Sequence, residues 1–128
     1  DLLIGMDATV YPSYYEPWGY TPLESAAFHV PTITTSLAGF GEWAQRHFGA
    51  ENLTKGVVTI PRTDANYNEV TERIVDELFA FASFTPAQLD KARKAAAAIA
   101  RKAEWRYFFK YYRQAYDIAI KHAKNRNK

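Results

Sequence analysis

The sequence predicts an α/β fold with three parallel strands, flanking helices and a long carboxyl-terminal helix. Three short β-prone runs alternate with two short helical patterns over the first 60 residues, and this βαβαβ order implies parallel pairing with right-handed crossovers. From about residue 66 the hydrophobic periodicity is helical to the end of the chain. No internal repeat or long linker interrupts the 128 residues, so residues 1–128 are predicted to form a single domain.

The three predicted strands are short runs rich in β-branched residues, each with a proline at or near one end. They are residues 7–11, before Pro12; residues 30–35, with Pro31 near the start; and residues 56–60, before Pro61. The first is expected at an exposed edge of the sheet, where its unpaired backbone groups recruit other strands.

Two short helices are predicted between the strands, over residues 22–29 and residues 41–48, and Gly49 is placed to end the second. Thr21 and Glu24 fit a capping box, in which the Thr21 hydroxyl and the Glu24 carboxylate bind each other's backbone amides. On the sequence pattern alone, this structural interpretation of Glu24 is favoured over a binding role.

Two further helices are predicted after the last strand. Asn66 is expected to cap the first, with Glu69 three residues on. Thr85 and Gln88 form a capping box at the start of the second, with Pro86 at its first helical position. The apolar face of the first helix consists of Val70, Ile74, Leu78, Phe81 and Ala82, and that of the second of Leu89, Ala92, Ala96, Ile99 and Ala103.

The last helix, predicted from about residue 104 to about residue 124, is aromatic on two sides. One stripe carries Trp105, Phe108, Phe109, Tyr112, Tyr116, Ala119 and Ile120, and the other carries Tyr107, Tyr111 and Ile118. Such a helix is normally buried, and three parallel strands are few for an α/β domain. We therefore expect the chain to be a fragment of a larger protein and, alone, to form a homo-oligomer through this helix, the first strand or both.

Composition excludes several classes of site. The chain has no Cys, which excludes disulfides, thiolate zinc sites and a cysteine nucleophile, and favours a cytoplasmic location. His29, His47 and His122 lack metal-ligand spacing, so no metal site is predicted. No segment has the pattern of a membrane span or a targeting signal.

Charge is divided unevenly along the chain. Residues 1–90 hold 4 Lys and Arg against 12 Asp and Glu, a net charge of −8, whereas residues 91–128 hold 12 against 2, a net charge of +10. The basic end is either a pair of solvated helix faces or a surface for nucleic acid, phosphate or an acidic partner. Nucleic-acid binding is the weaker alternative, because the aromatic residues fall at helical core spacing and no recognised nucleic-acid motif is present. A non-catalytic interaction module is the other alternative.

The stretch from residue 11 to residue 24 carries the candidate ligand site. It joins the carboxyl end of the first strand to the amino end of a helix, where open α/β sheets bind ligands. The amides of Gly19, Tyr20 and Thr21 suit a phosphate, because a helix amino terminus offers unpaired N–H groups and partial positive charge. Glu16 and Glu24 flank this turn, and a carboxylate accepts hydrogen bonds from two ribose hydroxyls at once.

The runs PSYYEPWGYTPLE at residues 12–24 and HVPTITTSLAGFG at residues 29–41 resemble the glycogen synthase family, retaining glucosyltransferases of the two-domain GT-B fold. Glu16 and Glu24 match the two ends of that family's Glu-x7-Glu motif. A weaker similarity continues through residues 104–119. The resemblance implies a partial Rossmann-like domain, the carboxyl-terminal part of a GT-B nucleotide-sugar-binding domain.

The resemblance also implies roles for individual residues. Glu16 is the implied catalytic residue, which stabilises positive charge at the anomeric carbon of the transferred glucose. The implied donor-binding residues are Trp18, Gly19, Tyr20, Thr21 and Glu24. The implied donor is UDP-glucose or ADP-glucose and the acceptor an α-1,4-glucan, with no cofactor.

Two departures from the family pattern limit what the resemblance implies. The family's amino-terminal domain and the first half of this domain are missing from the sequence, so the chain alone is expected to be inactive. The basic residues that correspond to an arginine cluster for a sugar-phosphate effector are interrupted by four alanines at residues 95–98, which argues against that regulation.

Overall fold

Three short parallel strands form the centre of the computed structural model, which describes residues 2–126. The strands are β1 (Thr9–Val10), β2 (Thr32–Thr35) and β3 (Val57–Ile60), in the spatial order β1-β2-β3. Thr9 lies opposite Thr32, and Thr32 lies opposite Val57. The parallel α/β prediction is confirmed, and β1 lies at one edge of the described sheet, as predicted.

All five predicted helices are present. They are α1 (Tyr20–Ala27), α2 (Gly39–Phe48), α3 (Tyr67–Ala82), α4 (Pro86–Lys102) and α5 (Trp105–Arg126), with short 3-10 helices at Leu2–Gly5 and Leu53–Lys55. Both α1 and α2 begin two residues earlier than predicted, and β1 is shorter than the predicted run of residues 7–11. Gly49 ends α2 in a left-handed conformation, as its position predicts.

One apolar cluster lies on each face of the sheet, because alternate side chains of a strand point to opposite faces. The first cluster, contributed mainly by α1, α2 and α4, contains Ala26, Phe40, Ala44, Ala50, Val57, Ala96, Ile99 and Ala100. The second, covered by α3, contains Ile33, Leu53, Val58, Ile60 and Val70. Both sheet crossovers place their helices on the same face, as right-handed connections in this strand order require.

A buried group of hydroxyls fixes α1 to the sheet. Thr9 of β1 and Thr32 of β2 both bond the Ser25 hydroxyl of α1, at 2.6 and 3.0 Å. The three side chains are at most 7% exposed, so these hydrogen bonds replace the water that the hydroxyls lose on folding. The last turn of α1 is thereby held against the beginning of β1 and β2.

The alanine run in α4 has a packing role. A Cβ on Gly56, at the start of β3, would lie 2.1 Å from the Ala96 backbone nitrogen, so the helix backbone directly touches the sheet. Ala96 is buried in this contact. A long basic side chain at position 96 would separate α4 from β3, which gives a physical reason for the interruption of the basic residues.

Of the two predicted caps in the second half, one is confirmed and one is partly wrong. Thr85 and Gln88 form the reciprocal capping box at the start of α4. Asn66 is the N-cap residue of α3, but its side chain makes no capping bond. It accepts instead from the Thr63 N–H at 2.8 Å, and so stabilises the preceding turn.

Helix α5 extends away from the body of the protein. None of its residues is buried, and Phe108 alone among residues 105–126 is half-buried rather than exposed. Trp105 is 61% exposed and Tyr116 58%. The prediction that this helix carries more apolar surface than the chain covers is confirmed.

Candidate functional site

The carboxyl ends of the three strands meet at one edge of the sheet, where the loop of residues 11–19 joins β1 to α1. Open α/β sheets bind ligands at such an edge. The segment of residues 36–38 after β2 and that of residues 61–66 after β3 reach the same edge, because the strands are parallel. Three loops therefore build the candidate site.

The amino end of α1 is open. Gly19 is the N-cap residue, with φ 98° and ψ 69°, a conformation that residues with a side chain rarely adopt. No side chain caps the helix, and within residues 2–126 the backbone N–H groups of Tyr20 and Thr21 have no hydrogen-bond partner. Such N–H groups and the helix dipole attract anions, so this end has the electrostatics that a phosphate requires.

The predicted capping box at Thr21 and Glu24 is wrong. The helix begins at Tyr20, so Thr21 lies inside the first turn rather than at the N-cap. Glu24 is exposed in the second turn and takes part in none of the ion pairs found in the described part of the chain. Its carboxylate is therefore available to a ligand.

Glu16 is fixed to the neighbouring loop through its backbone. Its N–H donates to the Leu37 carbonyl at 3.0 Å, and its carbonyl accepts from the Gly39 N–H at 3.2 Å. The Glu16 side chain is half-buried, and the Ser13 hydroxyl donates to its Oε2 at 3.2 Å. The structure thus holds both the backbone and the carboxylate of this residue.

Gly39 allows the loop to approach the start of α2 this closely. A Cβ on Gly39 would lie 2.3 Å from the Pro17 carbonyl oxygen and 3.2 Å from the Trp18 Cα. Both neighbours are backbone atoms, which do not move aside as a flexible side chain does. Any larger residue at position 39 would therefore displace the loop that carries Glu16.

The Trp18 ring belongs to an aromatic cluster. Its centroid lies 6.2 Å from that of Phe40, 6.1 Å from Trp43 and 5.7 Å from Phe108. The Trp18 carbonyl also accepts from the Phe40 N–H at 2.5 Å. The ring contacts and this hydrogen bond support the turn immediately before Gly19.

Two cavities lie near α1. One of about 430 Å³ lies between α1 and the start of α5, and is lined by Trp18, Tyr20, Leu23, Ala103, Trp105, Phe108 and Tyr112. The other, of about 290 Å³, lies between the end of α1 and α4 and includes His29, Arg101 and Glu104. The larger cavity thus includes two of the predicted donor-binding residues, Trp18 and Tyr20, and neither of the two cavities includes Glu16 or Glu24.

Sequence reasoning missed a group of side chains from the segment after β3. The Arg62 Nη1 donates to the Pro12 carbonyl at 2.7 Å, and its guanidinium lies 5.0 Å from the centroid of the Tyr14 ring. The Tyr14 hydroxyl donates to Asp64, and this hydrogen bond is the main cause that raises the pKa of Tyr14 above its ordinary value. The sequence indicates only that the segment after β3 and the loop of residues 11–19 share one edge of the sheet, and it does not indicate which of their side chains meet.

Metal and membrane chemistry find no support in the described residues. Within residues 2–126, no three His, Cys, Asp or Glu side chains come together in an arrangement able to hold a metal ion. His29, His47 and His122 are exposed. Across the same residues, no helix is both long enough and apolar enough to cross a membrane.

Comparison with known proteins identifies relatives along almost the whole chain. The family model for glycogen synthase matches residues 1–127. The liver glycogen [starch] synthases of Mus musculus and Homo sapiens are each 31% identical over 119 residues, which cover 93% of this chain and 17% of the relative. Glycogen [starch] synthase of Caenorhabditis elegans is 29% identical over 120 residues, 94% of this chain and 18% of the relative. The chain thus spans less than a fifth of the length of these relatives.

Proposed function

The chain belongs to the glycogen synthase family, and we propose that it is part of a retaining glucosyltransferase that extends α-1,4-glucans from a nucleotide-glucose donor. In this proposal residues 1–128 form the carboxyl-terminal part of a nucleotide-sugar-binding domain in a GT-B fold. The donor is UDP-glucose or ADP-glucose, and the reaction takes no cofactor. The remaining length of the relatives supports a second domain for the acceptor glucan.

The open amino end of α1 beside an unpaired carboxylate is the observation that carries this proposal. The N–H groups of Tyr20 and Thr21 have no partner within residues 2–126, and Glu24 lies about one turn further along the same helix. A nucleoside diphosphate needs donors for its phosphates and an acceptor for its two ribose hydroxyls. This helix end offers both within a few residues.

The donor-binding roles follow from these positions. The amides at Gly19, Tyr20 and Thr21 hold the diphosphate, and the Glu24 carboxylate accepts from the ribose hydroxyls. Trp18 contributes through its peptide group, while its ring supports the turn by packing on Phe40 and Phe108. The left-handed Gly19 leaves room for a phosphate to approach the backbone.

Glu16 is the proposed catalytic residue. It stabilises positive charge that develops at the anomeric carbon of the transferred glucose, a role that requires a carboxylate fixed in place before the reaction. The bonds from Leu37, Gly39 and Ser13 support that fixation, because they hold both its backbone and its side chain.

The chain by itself is proposed to be inactive and to bind nucleotide sugars weakly at best. The chain spans less than a fifth of the length of its relatives, and the exclusion of water around a reacting sugar needs protein on both sides of a cleft. The absence of Cys supports a cytoplasmic location.

The alternative roles concern α5. Its exposed aromatic side chains support self-association of the isolated chain, so we propose a homo-oligomer under those conditions. Binding of nucleic acid to the basic end is not part of the proposal, because cations of the same chain already lie over two Tyr rings of α5: Lys102 and Arg106 over Tyr107, and Lys110 at 4.9 Å from the Tyr111 ring centroid.

Substitution of Glu16 in the complete protein tests the proposed reaction. With labelled UDP-glucose or ADP-glucose and glycogen as acceptor, Glu16→Gln is expected to lower kcat by roughly a hundredfold or more and to leave the donor KM nearly unchanged. Glu42→Gln is the matched control, because Glu42 is an exposed residue paired with Arg46 four positions away. Near-normal turnover of Glu16→Gln would remove Glu16 from the catalytic machinery, and no transfer by the wild-type protein would overturn the proposed activity.

A further inference from the structure

Two side chains from the segment after β3, Arg62 and Asp64, contact the loop of residues 11–19. The Arg62 guanidinium bonds the Pro12 carbonyl at 2.7 Å and lies 5.0 Å from the Tyr14 ring centroid, and Asp64 accepts from the Tyr14 hydroxyl. Pro12 and Tyr14 are the two neighbours of Ser13. We call these contacts of Arg62 and Asp64 the clamp; they hold the residue on each side of Ser13.

Ser13 is also held from the sheet. Its carbonyl accepts from the Thr35 hydroxyl at 2.6 Å, at the end of β2, and its N–H donates to the Tyr11 carbonyl at 2.8 Å. The backbone of Ser13 is fixed in this way. Its hydroxyl then donates a hydrogen bond to the Glu16 Oε2 at 3.2 Å. This hydrogen bond favours the orientation of the Glu16 carboxylate in which Oε2 faces Ser13.

Arg62 is itself anchored. Its N–H donates to the Ser36 hydroxyl at 2.9 Å, and the Ser36 N–H donates to the Ile60 carbonyl at 2.9 Å. The segments after β2 and β3 are thus joined before either one contacts the loop of residues 11–19. Arg62 suits the position because a planar guanidinium stacks on a ring and donates in its own plane at the same time, which a lysine ammonium does not.

We propose that Ser13 is a positioning residue for Glu16, and that Arg62 and Asp64 fix Ser13 in the place where it orients the Glu16 carboxylate. The inference rests on the proposed catalytic role of Glu16. It adds to that site a series of contacts that leads from Arg62 and Asp64, after β3, through Ser13 to the Glu16 carboxylate. None of these side chains is assigned contact with the substrate.

Kinetics of the complete protein test the first step. Ser13→Ala is expected to lower kcat about tenfold, the rate equivalent of one hydrogen bond to a charged group, with the donor KM nearly unchanged. Ser13→Thr, which keeps the hydroxyl, is expected to recover most of that loss. Thr63→Ala is the matched control on the same edge, because the Thr63 hydroxyl bonds only its own turn, at Ala65.

A double substitution distinguishes a positioning role of Ser13 from a general loss of structure in the site. If Ser13 acts through Glu16, adding Ser13→Ala to Glu16→Gln lowers kcat no further, because the carboxylate that Ser13 orients is already gone. An equal tenfold loss in both backgrounds would overturn the proposal. An unchanged kcat for Ser13→Ala, in a protein where Glu16→Gln abolishes turnover, would also overturn the positioning role of Ser13. This result would leave the proposed function intact.

Hydrogen exchange on the chain itself tests the second step without any activity. Arg62→Lys is expected to raise the exchange rate of the amides of Ser13 and Glu16 severalfold and to leave those of α3 unchanged, because only the loop loses its clamp. Asp64→Asn is expected to act in the same direction with a smaller effect. Unchanged protection of the loop in Arg62→Lys would overturn the role of Arg62 whatever the kinetics give.

Discussion

The loop of residues 11–19 and helix α5 are both rich in aromatic residues, yet the protein holds them very differently. The loop receives backbone or side-chain hydrogen bonds from the segments after β2 and β3, and a glycine contact at Gly39 closes the gap to α2. Helix α5 is held near its start by Phe108, which packs on Trp18 and Trp43. From Phe109 onward every described side chain is exposed.

The comparison shows that the two regions differ in the kind of contact that orders them. Directional polar bonds fix the proposed catalytic edge, whereas α5, the helix with the most aromatic residues, has little within the described chain to pack against. Apolar area left in water is unfavourable at roughly 25 cal/mol per Å². Hydrogen bonds therefore order the loop, while most of the aromatic surface of α5 stays exposed.

The largest effect on stability is expected at Gly39, where the loop of residues 11–19 contacts the start of α2. Gly39→Ala places a Cβ 2.3 Å from the Pro17 carbonyl oxygen, so it is expected to lower the free energy of unfolding by about 1–3 kcal/mol. Urea unfolding of the chain measures this. Gly5→Ala is the control, because a Cβ there meets nothing within 4 Å. Equal stability of the two variants would mean that the loop yields, and that its close packing is not required.

A smaller effect sharpens the comparison within α5. Phe108→Ala removes the ring that touches Trp18 and Trp43, and because Phe108 is only half-buried, the loss of stability is expected at about 1–2 kcal/mol. Phe109→Ala, next to it and 45% exposed, is expected to change stability by less than about 0.5 kcal/mol. Thermal unfolding of both variants decides whether Phe108 is the attachment point of α5.

The smallest effect on stability is expected from the outer part of α5. Ile118→Glu combined with Tyr111→Glu alters two side chains that are each 56% exposed, so the melting temperature is expected to hold while self-association weakens. Sedimentation over a concentration series measures both proteins. A wild-type chain that is a clean monomer at high micromolar concentration would contradict the proposed homo-oligomer, and would mean that the cations over Tyr107 and Tyr111 make this face tolerable in water.

The strands and helices were predictable from the sequence because they depend on local signals. Alternating patterns with Pro61 and Gly49 as stops predicted the order of elements, and the position of residues 11–24 after β1 indicated the edge of the sheet at which the candidate site is proposed. The predicted capping box at Thr21 is wrong because a left-handed Gly19 starts the helix two residues earlier, and a pattern of polar residues does not reveal that backbone conformation.

The clamp around Ser13 was beyond sequence reasoning for a different reason. Arg62 and Asp64 lie 50 residues from Pro12 and Tyr14, so no local periodicity connects them. The parallel topology brings them together, but it predicts only that two segments share an edge. Which side chains then meet depends on the path of each loop, and that path is set by contacts such as the Arg62 N–H to the Ser36 hydroxyl.

The most direct test of the central claim is a structure of the complete protein with a bound nucleoside diphosphate. The account predicts phosphate oxygens within hydrogen-bond distance of the Tyr20 and Thr21 amides and ribose hydroxyls on the Glu24 carboxylate. A diphosphate bound away from the amino end of α1, with Glu24 still in solvent, would contradict the account.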